Sequence, residues 1–219
     1  MKLKISASLM CADIFKLAET IDELDQAAID MYHVDIMDGH FVPNLGSNFD
    51  AIRRIKQVTR TPLDVHLMVD NPEWFVDQAI AAGSDSITFH LESAPAPLRL
   101  LEKIRRHGVK AGLAINPVTP ASALPYAADF LDMLVIMTVE PGFAGQKFIP
   151  SVLAKIAAAR SALGDTDIAV DGNIDIPNAL GSIAAGANVM VAGTSALFKK
   201  EGTLAGNLRD FRQALRQSR

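Results

Sequence analysis

Short apolar runs rich in β-branched residues recur eight times along the chain, each followed by an amphipathic stretch. The runs are Leu3–Ser8, Tyr32–Met37, Leu63–Met68, Ser86–His90, Lys110–Ile115, Met133–Thr138, Ile168–Asp171 and Val189–Ala192. Runs of this length flanked by turn residues predict buried parallel strands. The stretches between them carry helix signals. Asp13 is placed to cap IFKLAETIDELDQAA, whose Ile14, Leu17, Ile21 and Leu24 recur at helical spacing. Asn71-Pro72-Glu73 opens another helix that Gly83 closes, and Thr119-Pro120, Ile149-Pro150-Ser151 and Ile176-Pro177-Asn178 mark further starts. Strand starts fall about 21 to 35 residues apart, the size of one strand-loop-helix-loop unit, with no Gly/Ser-rich linker between them. Eight unbroken units predict a single (β/α)₈ barrel domain over residues 1–219. A doubly wound open sheet is the alternative, but the Gly-x-Gly-x-x-Gly that often follows its first strand is missing from SASLMCAD.

Bulk properties narrow the function classes. The 219 residues are 49% hydrophobic, enough for a sizeable core, and the net charge of -4 gives no footprint for nucleic acid. No apolar stretch approaches the roughly 20 residues of a membrane span. MKLKISASLMCAD turns acidic early and reads as a first strand rather than a signal peptide. The one cysteine, Cys11, excludes an internal disulfide and suits a reducing compartment, so the cytoplasm is expected.

Active sites of such barrels lie at the C-terminal ends of the strands. Here those ends carry Ser8, His33 and Asp35, His66, His90, Asn116, Thr138, Asp171 and Gly193, above apolar strand bodies. His33 and Asp35 are two apart on one strand and share a face, with Met37 continuing the row; His66 and Met68 repeat it on the third strand. The bland reading of a lone buried His is a core residue, and of a strand-end Asp a helix cap. His33, Asp35, His66 and Asp171 together suit one divalent ion: zinc, iron, manganese or cobalt. Magnesium, which prefers oxygen ligands and water, suits them poorly. Met37, Met68 and Met137 are either core filler or a dry lid over reacting atoms.

Glycine loops follow three successive strands: Glu140-Pro141-Gly142-Phe143-Ala144-Gly145-Gln146, Asp171-Gly172-Asn173 and Ala192-Gly193-Thr194-Ser195. Loops in these positions often cradle a phosphate with backbone N–H groups. No Lys lies at a strand end, so a Schiff-base route has no placed amine. Cys11 has no evident base beside it and is expected to serve packing.

The segments SASLMCAD, HVDIMDGHFVPN, PLDVHLMVDNPE, GLAINPVTP, MTVEPGFAGQKFIP, VDGNI and VAGTSALF, in this order and spanning nearly the whole chain, resemble the ribulose-phosphate 3-epimerase family. The resemblance implies that His33, Asp35, His66 and Asp171 are metal ligands, with Asp35 and Asp171 also the acid/base pair. It implies substrate-binding roles for Ser8 and His66, for Gly142, Phe143, Ala144, Gly145, Gly172, Gly193 and Thr194 in the loops, and for Met37, Met68 and Met137 as a methionine layer. It further implies a phosphorylated ketose as substrate and a homo-oligomer.

The chain departs from the common family pattern at Met10-Cys11, Leu45-Gly46-Ser47-Asn48, Ala144, Asn173 and Thr194, none of them a ligand. The Leu9-Met10-Cys11, Phe143-Ala144-Gly145 and Gly193-Thr194-Ser195 variants look more like the D-allulose 6-phosphate 3-epimerase branch. Two competing readings stand beside the epimerase. A phosphate-barrel decarboxylase or lyase would want a Lys where Met37 stands; a non-catalytic sugar-phosphate sensor would not need both Asp residues.

Overall fold

A computed structural model describes residues 1–216. The expected end of the barrel domain at residue 219 lies outside the described residues. Eight parallel strands close on themselves in chain order: β1 (Lys4–Ser8), β2 (Met31–Met37), β3 (Leu63–Met68), β4 (Ser86–His90), β5 (Lys110–Ile115), β6 (Met133–Met137), β7 (Asp167–Asp171) and β8 (Val189–Ala192). β8 pairs with β1, so no strand edge is left open. The wall of this (β/α)₈ TIM barrel carries helices α1 (Leu17–Gln26), α2 (Phe49–Val58), α3 (Pro72–Ala82), α4 (Pro97–Arg106), α5 (Val152–Leu163), α6 (Ile176–Ala185) and α7 (Leu204–Arg216).

Strand alternation divides the core. On β3, Leu63, Val65 and Leu67 join the main apolar cluster with helix residues such as Ile52, Val76 and Leu101. The intervening Asp64, His66 and Met68 face inward. A second cluster of Ala114, Met133, Val135, Met137, Ala169 and Val189 fills the barrel's interior. No helix among the described residues is long and apolar enough to cross a membrane.

Several expectations need correction. Between β5 and β6 the chain makes 3₁₀ turns, Ala121–Tyr126 and Ala128–Phe130, in place of an α-helix. Pro125 explains this: it offers no N–H, and its ring clashes with the carbonyl four residues back in an α-helix. Thr119 caps nothing there, because its hydroxyl donates to Glu92. The helix predicted from Ile14 begins at Leu17; Asp13 instead caps a 3₁₀ turn by accepting from the Phe15 N–H, and Ile14 is 78% exposed rather than in the core. Asn71 and Ser151 form no side-chain caps, whereas Asp175 caps α6 through the Asn178 N–H at 2.9 Å. Gly83 closes α3 at φ +89°, as expected. β6 stops at Met137, although the Thr138 N–H still donates to the Asp171 carbonyl at 2.7 Å.

Candidate metal and substrate site

β2 and β3 pair in the register that sets Asp35 beside His66 and Met37 beside Met68. β2 and β7 are separated along the wall by β1 and β8. Strand alternation turns His33, Asp35 and His66 inward, and Asp171 comes from the end of β7 to meet them. His33 Nε2 lies 3.2 Å from His66 Nδ1, 3.3 Å from Asp35 Oδ1 and 3.6 Å from Asp171 Oδ2. His66 Nδ1 lies 3.3 Å from Asp35 Oδ1 and 3.8 Å from Asp171 Oδ2. All four candidate ligand atoms fall within 4.8 Å of one another. Atoms bound tetrahedrally to one ion at zinc-like distances sit about 3.3–3.6 Å apart. The donor set therefore fits a single divalent ion with little rearrangement.

The surroundings bias these groups. Burial opposes charge on Asp35, but His33 and His66 outweigh it and hold the carboxyl well below the usual carboxylate range. Burial pushes Asp171 up against the pull of His33, and the charge of Asp35 adds to that push. Two carboxyls whose proton affinities are driven apart suit opposite roles in proton transfer. Burial also opposes charge on His33, but Asp35, Asp64 and Asp171 around it raise its pKa. His66 is shifted down, by burial first and by the neighbouring His90 and His33 rings against the pull of Asp35. The Ser8 hydroxyl donates to Asp35 Oδ2 at 3.3 Å, the oxygen left over by the histidines. The Ser47 N–H donates to the Asp35 carbonyl at 2.8 Å.

Above the quartet opens a cleft of about 590 Å³, counting the part open to solvent. Ser8, Asp35, Met37, Met68, Met137 and Asp171 form its floor, and Gly142–Gly145, Gly172 and Gly193–Thr194 form its rim. Every expected site residue lines this cleft except His33 and His66, which are buried beneath it. His66 approaches the site through Nδ1, which faces Asp35 and Asp171. The three methionines are both core and lining: each is at most 5% exposed, and Met37 and Met68 pack with Val42. None of the lining residues is Lys or Arg. An anion here would meet backbone N–H groups rather than cations.

The rim needs special backbone. Gly172 has φ +121°, and a Cβ on it would lie 2.5 Å from Val139 Cγ2. Asn173 follows at φ +52°. Asn is among the few residues with a side chain that tolerate the left-handed region, so it can stand where the family pattern has Gly. Asn44 Nδ2 donates to the Gly142 carbonyl at 2.7 Å and ties the loop after β2 to the loop after β6.

The sequence matches the model of the ribulose-phosphate 3 epimerase family over residues 4–198. The chain belongs to the ribulose-phosphate 3-epimerase family. It is 42% identical over 214 residues to the ribulose-phosphate 3-epimerase of Methanocaldococcus jannaschii, spanning 95% of this chain and 90% of that one. It is 39% identical over 198 residues to the Bacillus subtilis ribulose-phosphate 3-epimerase, 88% of this chain and 91% of that one. With the chloroplastic ribulose-5-phosphate-3-epimerase of Arabidopsis thaliana it shares 40% over 203 residues, 90% of this chain and 72% of that one. A mutant tryptophan synthase alpha-subunit from Pyrococcus furiosus superposes with a TM-score of 0.70 at 18% identity, covering 98% of both chains; this likeness concerns the fold alone. Family membership makes the chain an isomerase of the epimerase type.

Some contributors are visible only in three dimensions. Asp64 accepts from His33 Nδ1 at 3.0 Å and from the Thr88 hydroxyl at 3.1 Å. Its signal was a charged residue two places before His66 on the same strand face. Val139 and Val191 also line the cleft without any signal in residue type.

Proposed function

We propose that this chain is a divalent-metal-dependent ketose-phosphate 3-epimerase that inverts C3 through an enediolate. The observation that carries the reading is the His33/Asp35/His66/Asp171 quartet directly beneath a cation-free, glycine-rimmed cleft. These four residues would hold one zinc, iron, manganese or cobalt ion. When bound, such an ion supplies Lewis-acid stabilisation for negative charge developing on a ketose as its C3 proton leaves.

The chain's own groups handle the protons. Asp35 takes the C3 proton in one direction, and Asp171 returns one to the opposite face. The roles exchange in the reverse direction. Ser8 steadies Asp35 through its second oxygen. Met37, Met68 and Met137 give the reacting carbon an apolar floor that limits competing water. Backbone N–H groups of Gly142, Phe143, Ala144, Gly145, Gly172, Gly193 and Thr194 take the phosphate. Neutral donors suit this task, because a Lys or Arg so close to Asp35 and Asp171 would pair with them instead.

D-ribulose 5-phosphate, converted to D-xylulose 5-phosphate, is the first substrate, since relatives near 40% identity carry that enzyme's name. D-allulose 6-phosphate, converted to D-fructose 6-phosphate, is the second reading. One observation favours it: Met10, Cys11, Ala144, Asn173 and Thr194, five of the positions where the chain departs from the common family pattern, line the cleft, although Leu45, Gly46, Ser47 and Asn48 do not. Parallel assays of both sugars with Zn²⁺, Fe²⁺, Mn²⁺ or Co²⁺ supplied decide between them. Turnover of neither contradicts the reading. The proposal includes one barrel domain over the whole chain and a cytoplasmic homo-oligomer, the latter checked by light scattering of the purified protein.

A further inference from the structure

His90 is fully buried outside the quartet, and the chemistry above leaves it without a task. Its Nε2 lies 2.9 Å from His66 Nε2, and its Nδ1 lies 3.2 Å from Glu92 Oε2. Two ring nitrogens in contact share one proton, so one ring donates and the other accepts. Glu92 decides which. An ionised carboxylate only accepts, so the proton of a neutral His90 sits on Nδ1. His90 Nε2 is then a lone pair, and His66 Nε2 carries the shared proton. A neutral imidazole has one N–H, so His66 Nδ1 is left as a lone pair. That nitrogen is the one facing His33, Asp35 and Asp171.

The relay is anchored at its far end. Glu92 Oε1 accepts from the Asn116 N–H at 2.7 Å and from the Thr119 hydroxyl. Lys155 of α5 donates to the carbonyls of Asn116 and Pro117 at 2.7 and 2.6 Å, fixing that loop. Phe41 packs on the His90 ring with centroids 4.6 Å apart, and the His66 and His90 rings lie within 22° of parallel. His33 has a shorter counterpart: Asp64 meets its Nδ1 directly, leaving Nε2 toward the quartet.

We propose that Glu92 and His90 are positioning residues that, through one imidazole relay, hold His66 in the tautomer whose Nδ1 lone pair points at the metal position. The inference rests on the metal reading above. Supporting hydrogen bonds of this kind are typically worth about 10–100-fold in metal affinity.

Two measurements test it: Zn²⁺ affinity by competition with a chromophoric chelator, and ¹⁵N NMR of the histidine rings in the Zn²⁺-loaded parent. His90 is expected to be protonated at Nδ1. His90→Leu is expected to weaken Zn²⁺ binding by about 10–100-fold. His90→Gln, whose amide oxygen can accept from His66, should recover most of the loss. Glu92→Gln, nearly isosteric, should also bind Zn²⁺ more weakly, and it carries the test if His90→Leu does not fold. A His90 protonated at Nε2 overturns the relay. So do variants that bind as tightly as the parent, or a His90→Gln no better than His90→Leu. A parent that takes up no Zn²⁺ overturns the metal reading and this inference together; a parent that binds alongside unaffected variants overturns this inference alone.

Discussion

Asp35 and Asp171 occupy one site, yet their neighbours treat them in opposite ways. Asp35 faces both histidines and a serine hydroxyl, while Asp171 is pushed toward its protonated form by burial and by Asp35. Asp35→Asn and Asp171→Asn preserve shape and remove the carboxylate proposed to transfer the proton. Each is expected to lower kcat by about 10²–10⁴-fold, with an unchanged circular dichroism spectrum. Glu92 gives a residue-scale prediction for acid stability. Burial opposes its charge, but His90, the Asn116 N–H and the Thr119 hydroxyl hold its carboxyl at about 2, against an ordinary 4.5. The unfolded chain therefore takes up the proton first as pH falls. The stabilisation is complete above about pH 4.5 and is lost by about pH 2. It amounts to no more than about 3 kcal/mol. Urea melts across this window should show Glu92→Gln losing less stability than the parent. The quartet was legible in the sequence because each member ends an apolar run. The residues that orient it were harder to see, since Asp64 and Glu92 gain meaning only from the ring nitrogens they face.

Strand positions could be read to within about a residue, because both faces of a barrel strand are buried and the apolar run is nearly continuous. Connections were read less well. Proline opens a helix readily but breaks its interior, and Pro125 denied the β5–β6 connection an α-helix. Ile14 matched helical spacing but falls in the 3₁₀ turn before α1, where it faces solvent. Loop contacts were not legible at all. At Gly46 the loop after β2 folds back onto its own strand, and an added Cβ would lie 2.4 Å from the Asp35 carbonyl oxygen. Gly46→Ala is therefore expected to push this loop off β2 and disturb Asp35. The check is kcat, which should fall at least about 10-fold, since a misplacement of about 1 Å can cost about 10²-fold in rate; the backbone clash should lower the melting temperature as well.

Closure of the barrel is what brings β2, β3 and β7 to a common point. An ion gripped by all three would tie these distant stretches of chain together, so it should stabilise the folded molecule by mass action. At a free concentration about 100 times Kd, the gain is about 2.7 kcal/mol. For a chain of this size that corresponds to about 5–10 °C in melting temperature. Calorimetry of the protein with Zn²⁺ and after chelation should show this difference. Equal melting temperatures would mean that the quartet does not hold the ion. The proposed chemistry is tested most directly by turnover of D-ribulose 5-phosphate and D-allulose 6-phosphate in deuterated water, with the product examined by NMR. A proton leaving one face of C3 and arriving at the other through Asp35 and Asp171 predicts deuterium at C3 of the product. Product formed with only hydrogen at C3 would contradict the account.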